Sequence, residues 1–174
     1  VVDVAVGLDG IVIRGHPIPE AVGPPWLHGV LGTADRIVDP APPPPVGHRN
    51  NLIHVYDDLG LYFREHHWTG LAMDLVFVVW PEEGRYVFTP RRAFSGTLEL
   101  HDDLVPAGAS ESQFIRESPI PFEEYLSGHW RAEGGRFSVG MAVTGAKLRS
   151  NGRSRRRRVV SIDVSWPHDP WQNA

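Results

Sequence analysis

The sequence predicts an α+β protein: a mainly antiparallel β-sheet built of a meander and hairpins, with one or two short helices packed on one face. Three observations lead to this class. Residues 54–80 hold two alternating apolar runs around a turn and then a third, longer run, the pattern of a β-meander. Sixteen prolines and 18 glycines among 174 residues exceed average usage and leave little room for long helices. Only one segment, residues 24–32, has good helical spacing, and it is short.

Taken in order, Val2, Val4 and Val6 alternate with Asp3 and Ala5, and Ile11, Val12 and Ile13 return after a Gly-Leu-Asp-Gly turn, so residues 2–13 form a hairpin. Prolines at 17 and 19 lack donors and take the chain out of the sheet. The helix over 24–32 begins with two prolines, repeats apolar residues at 26, 27, 30 and 31, and ends on Gly32. Residues 36–38 make a brief strand, and the proline-rich residues 40–45 an exposed loop. After the meander, residues 82–85 turn into a strand at 86–88, and residues 94–101 alternate as another. Residues 102–121 read as loop with one turn of helix at 112–117. A short helix starts at Pro121, with Glu123 and Glu124 in its first turn, where the helix dipole favours acids. Residues 136–143 and 158–166 close the chain as a hairpin with a basic tip at 146–158, and residues 167–174 fray.

The length suits a single domain spanning 1–174. Cysteine is absent, so disulfides and cysteine-based zinc or catalysis are excluded. The longest apolar run, residues 75–80, is far too short for a membrane helix, and a soluble, cytoplasmic protein is expected. Charge is polarised: seven of the 17 basic residues and no acids lie within 147–158, leaving ten basic against 21 acidic elsewhere. Such an acidic body favours a basic partner, and the basic segment an acidic one.

No motif fixes a chemistry. Glu65-His66-His67 is the densest set of ligand-type side chains, yet neighbours on a strand face opposite ways, so no metal and no cofactor are expected. Asp57 and Asp58 read as solvated turn formers, with paired acid–base carboxylates as the alternative. No nucleophile elbow surrounds a serine, and no lysine-serine pair follows the glycines at 128, 134 and 135. Arg155, Arg156, Arg157 and Arg158 offer contacts to nucleic acid or to an acidic protein. Tyr56, Tyr62, Phe63, Trp68, Trp80 and Trp130 divide between core and surface. The face of the third run carrying Ala72, Asp74, Val76, Val78 and Trp80 is semi-polar, so part of the sheet is expected to stay open as a partner site.

Four segments in order, GIVIRGHPI, WLHGVLGTADRI, VYDDLGLYF and AFSGTLEL, resemble an uncharacterised bacterial domain family. The positions that carry the likeness are Leu31, Gly32 and Arg36, then Tyr56, Asp58 and Gly60, then Phe94, Gly96 and Leu98, within residues 10–104. Proteins of this kind look like immunity proteins of toxin–immunity systems, and the architecture is loosely similar to BamE and β-lactamase-inhibitor proteins. The resemblance implies a protein-binding module that neutralises a cognate bacterial toxin or effector by occlusion; the short apolar run leaves no membrane partner expected, and the acidic remainder of the chain disfavours nucleic acid. Candidate contacts are Asp57, Asp58, Glu65, His66, His67 and Trp68, with Arg155–Arg158 as a second patch. The alternatives are a small enzyme pairing His54 or His66 with Asp57 or Asp58, and a nucleic-acid adaptor using the arginine run.

Overall fold

The computed structural model describes residues 2–7, 10–19, 21–40, 50–80, 86–100, 103–104, 110–118, 120–134, 137–143 and 157–165. Two sheets share one core. The first hairpin is β1 (Asp3–Gly7) and β2 (Gly10–Ile13), in register Val4 to Ile13, and His16–Pro17 adds β3 beside β2. This corrects the expectation that the chain leaves the sheet here. Arg14 and Gly15 turn it with positive φ, and an edge strand tolerates a proline without an amide donor.

Helix α1 (Pro24–Leu31) opens on its prolines and ends at Gly32, whose φ of 96° needs no Cβ and whose amide donates to His28 O. Its buried side chains are Leu27 and Leu31. Strand β4 (Arg36–Val38) leads to the meander β5 (Leu52–Tyr56), β6 (Leu61–Glu65) and β7 (Ala72–Val78). Residues 86–88 are a turn and not the expected strand: the Val87 and Thr89 carbonyls accept from Arg36 and not from a neighbouring strand. Strands β8 (Thr97–Leu100) and β9 (Asp103–Leu104) follow, with β8 lying parallel to β1. Helix α2 (Glu111–Glu117) exceeds the single turn expected, and its N-cap Ser110 accepts from Gln113 N–H.

The helix expected from Pro121 is instead a strand, β10 (Glu123–Leu126), paired with β11 (His129–Gly134), which had not been anticipated. A positive φ at Gly128 makes the turn, and Glu124 accepts the Gly128 amide at 2.8 Å. That bond closes a hairpin rather than capping a helix. Strands β12 (Phe137–Val143) and β13 (Val159–Ser165) complete the chain as the expected antiparallel pair.

The sheets run β3-β2-β1-β8-β9 and β10-β11-β12-β13-β7-β6-β5-β4. Val4, Val6, Ile11, Ile13 and Leu98 of the first pack in one buried cluster with Phe63, Leu75, Phe77, Met141 and Ile162 of the second and with Leu27 and Phe114 of the helices. The alternation of β7 divides as expected, Leu75 and Phe77 facing the core and Asp74, Val76 and Val78 the other way. Ala72 joins the core side because the β6–β7 register shifts between Arg64 and Glu65. No helix among the described residues is long and apolar enough to cross a membrane.

Candidate functional site

The face of the large sheet turned away from the core forms a concave pocket of about 360 Å³. Its position follows from the ladder register. Tyr62 on β6 lies beside Val76 on β7, which lies beside Asp163 on β13, then Gly140 on β12, then Arg131 on β11. All five share one face because side chains alternate along every strand. One row over, Arg64 faces Asp74; in the other direction Val78, Ser161, Ala142 and His129 line up.

Val76, Val78 and Val160 give this pocket a buried apolar floor. Arg64 sends its Nε to both oxygens of Asp74, at 3.0 and 2.8 Å, with a further bond from Nη2. The Asp74 side chain is 1% exposed, and its hydrogen bond raises the Arg64 pKa above the ordinary guanidinium range. Asp163 is different. Among the described residues it accepts only the Ser165 hydroxyl, at 3.3 Å, and no cation lies within salt-bridge distance. Burial, and then the charge of Asp74, push its pKa up. Gly140 makes this arrangement possible, because a Cβ there would stand 2.3 Å from Asp163 Oδ1.

Aromatic rings wall the pocket. Tyr86 stacks on Phe88 at 5.0 Å, Phe88 meets Tyr62 edge-on at 5.4 Å, and Tyr125 lies 6.3 Å from His129 on the neighbouring strand. Burial raises the Tyr62 pKa, so its phenol stays protonated. The wall at residues 86–89 is fixed from beneath by Arg36, which bonds Thr89 O at 2.9 Å and also Val87 O. The same guanidinium clasps Asp57 through Nε at 2.9 Å and Nη2 at 3.0 Å, and Asp57 also accepts the Arg91 amide at 3.0 Å. The hydrogen bond from Arg36 holds the Asp57 pKa below the ordinary carboxylate range.

Residues 3–114, well over half of the chain, match a family described only as a domain of unknown function, DUF7738. The chain belongs to the DUF7738 family. No curated protein and no solved structure matches it. The DUF7738 region takes in the whole five-stranded sheet and the large sheet from β4 to β7. The pocket joins that region, through Tyr62, Arg64 and Phe88, to the later strands, through Tyr125, His129 and Asp163. Several positions that suggested an uncharacterised family have structural explanations in the DUF7738 region. Arg36 makes the clasp on Asp57. Gly60, at φ +74°, lies so close to residues 93–94 that a Cβ would fall 2.2 Å from Phe94 N, and a Cβ on Gly96 would fall 1.9 Å from Val2 O.

The other residues singled out from sequence do not form one patch. Asp57, expected to be solvated, has a side chain only 7% exposed, because Arg36 and Arg91 draw it inward; Asp58 beside it is 76% exposed and 3.5 Å from Arg92. His66, His67 and Trp68 lie in the turn at the far end of β6, which at ~3.3 Å per residue separates them from Asp57 and Asp58 by roughly 16 Å. His67 donates to Asn51 Oδ1 through its amide and Nδ1, while Trp68 is 70% exposed. Arg157 bridges Glu111 and Glu124 at 3.1 Å each, and Arg158 lies 4.9 Å over the Trp80 ring. Arg155 and Arg156 lie outside the described residues, as do His101, the tip at 146–156, the turn at 82–85, residues 41–45 of the proline-rich loop and the tail at 167–174.

The proposed pairing of His54 or His66 with Asp57 or Asp58 is not what the fold assembles. His54 is buried, bonds Glu65 at 2.7 Å and stacks on Phe63 at 4.4 Å. His28 approaches it from α1, 5.1 Å away, and takes the Tyr56 hydroxyl at 3.0 Å. Burial lowers the His54 pKa against the opposing pull of Glu65, and its Nδ1 has no partner among the described residues. No group of three metal-ligating side chains converges among the described residues.

The pocket residues missed in the sequence did leave one signal. Ser161, Asp163 and Ser165 alternate with Ile162 and Val164, so a central strand carries a polar stripe with a carboxylate in the middle.

Proposed function

We propose that the protein acts by binding another protein, as an immunity protein that neutralises a cognate bacterial toxin by covering it. The observation that carries this reading is the concave outer face of the large sheet, left open between residues 86–89 and the edge strand β10 and flanked by exposed Tyr86 and Tyr125. Tyrosine is among the side chains that dominate binding energy at protein interfaces, because it buries a large rigid ring and keeps a polar tip. Strand β10 also ends the sheet with Tyr125 and Leu126 exposed, an edge that natural folds usually cover or blunt. A partner laid along it would bury both. The acidic excess outside residues 147–158 supports a basic partner surface, since complementary charge speeds encounter and disfavours wrong partners.

The experiment is co-expression with the product of the neighbouring effector gene. The protein should restore growth and co-elute with that product in size-exclusion chromatography. A Tyr86→Ser, Tyr125→Ser double variant should lose both effects while keeping its thermal midpoint. Undiminished rescue by that variant, or no complex with the neighbouring product, would overturn the proposal.

A further inference from the structure

We infer that the pocket over Asp163 is a receptor for one organic cation, the guanidinium or ammonium group of a basic side chain on the protein partner. This deepens the binding reading and rests on it for the source of the cation.

The charge count comes first. Two charged side chains line the pocket, Arg64 and Asp163, and Asp74 is bound to the first of them. The Arg64 guanidinium makes three hydrogen bonds to Asp74 and none to Asp163. Asp163 is half-buried and, among the described residues, accepts a single serine hydroxyl at 3.3 Å. Arg131 shares its row but spends its groups elsewhere, Nε on Glu133 at 2.9 Å and Nη2 on Ser138 at 3.0 Å. Among the described residues no cation is bonded to Asp163, Arg64 and Arg131 acting on it only from a distance, so a cation entering the pocket would gain a direct charged partner.

The walls suit the same occupant. Tyr62, Tyr86, Phe88 and Tyr125 present rings around this carboxylate, and an aromatic face attracts a cation placed over it. Rings alone accept any apolar group, and a carboxylate alone accepts any cation. Together they select an organic cation that stacks and carries charge. The volume of about 360 Å³ admits one long side chain and excludes a folded element. Gly140 keeps the carboxylate accessible, since any larger residue would occupy the position of its oxygens.

The probes are N-acetyl-arginine methylamide, N-acetyl-lysine methylamide and the uncharged N-acetyl-norleucine methylamide, titrated into the 15N-labelled full chain. Saturable shifts at the Ser161, Asp163 and Ala142 amides are expected from the charged probes, with the stronger of the two naming the side chain. Asp163→Asn, which removes a strained charge and should fold at least as well, should weaken them about tenfold. Gly140→Ala, read by the same shifts after its fold is verified by circular dichroism, should weaken them as well. Equal response to norleucine methylamide, or full binding by Asp163→Asn, would overturn the inference. If the charged probes fail while the complex with the neighbouring product survives Asp163→Asn, the cation pocket falls and the protein-binding reading stands. If the probes bind but no complex forms, the pocket stands and the protein partner falls.

Discussion

Replacing Asp57 by alanine should be strongly destabilising, because the carboxylate is buried. The carboxylate takes two bonds from Arg36, at 2.9 and 3.0 Å, and one from the Arg91 amide at 3.0 Å, with the Arg91 guanidinium 3.6 Å away. Removing one partner of a buried ion pair costs about 3–5 kcal/mol, because the other is left uncompensated. Arg36 is 29% exposed, so water re-solvates part of it, and the lower end of that range, about 3 kcal/mol, is expected. For a chain of this size each kcal/mol moves the thermal midpoint by about 2–4 °C, which gives a fall of about 6–12 °C. Asp58→Ala is the internal reference, since that neighbour is exposed and should change stability by less than about 0.5 kcal/mol. Urea denaturation of both variants at neutral pH supplies the comparison. A pH series adds a second reading: the Asp57 pKa is depressed on folding, so its contribution is complete above the unfolded value of about 3.9 and disappears as pH falls through the folded value. If Asp57→Ala is no worse than Asp58→Ala, the clasp does not hold the turn and the reasoning fails.

Other consequences can be checked alongside. Gly60→Ala and Gly96→Ala each drive a Cβ into backbone, at 2.2 and 1.9 Å, and should prevent normal folding, seen as loss of the β-sheet circular dichroism signal. His54 has a depressed pKa, so below about 6.5 the unfolded chain takes a proton that the folded one resists; stability should fall as pH drops from 7.5 to 5.5, and His54→Phe should flatten that dependence in urea titrations. Glu111→Ala removes the acceptor shared by Trp130 Nε1, at 2.8 Å, and Arg157, at 3.1 Å, and should cost about 1–2 kcal/mol, with increased hydrogen exchange in α2.

The elements legible in the sequence are those whose pattern is local. The meander shows in the alternation of 52–56, 61–65 and 72–78, and α1 in its paired prolines and Gly32. Strands β10 and β11 escaped because β10 is exposed at all four residues and so lacks an apolar alternation. Pro121, Glu123 and Glu124 imitate a helix start, and only the Glu124 bond to Gly128 N–H shows them closing a turn. The inward turn of Asp57 was hidden for a related reason: its partner Arg36 lies 21 residues away, and turn chemistry alone describes a solvated carboxylate. The pocket was less accessible still. Tyr62 and Asp163 meet across one row of the sheet although about a hundred residues separate them, and the polar stripe on β13 says nothing about which rings will stand over it.

The parallel pairing of β1 with β8 also sets a schedule for synthesis. Asp3 finds its hydrogen-bond partner Thr97 only 94 residues later. At ribosomal rates of about 5–20 residues per second, the first hairpin waits roughly 5–20 s for the strand that flanks it. Throughout that interval Val2, Val4 and Val6, buried in the finished protein, lack the neighbour that covers them. The amino-terminal hairpin is therefore a segment on which a chaperone could act while the chain is being made.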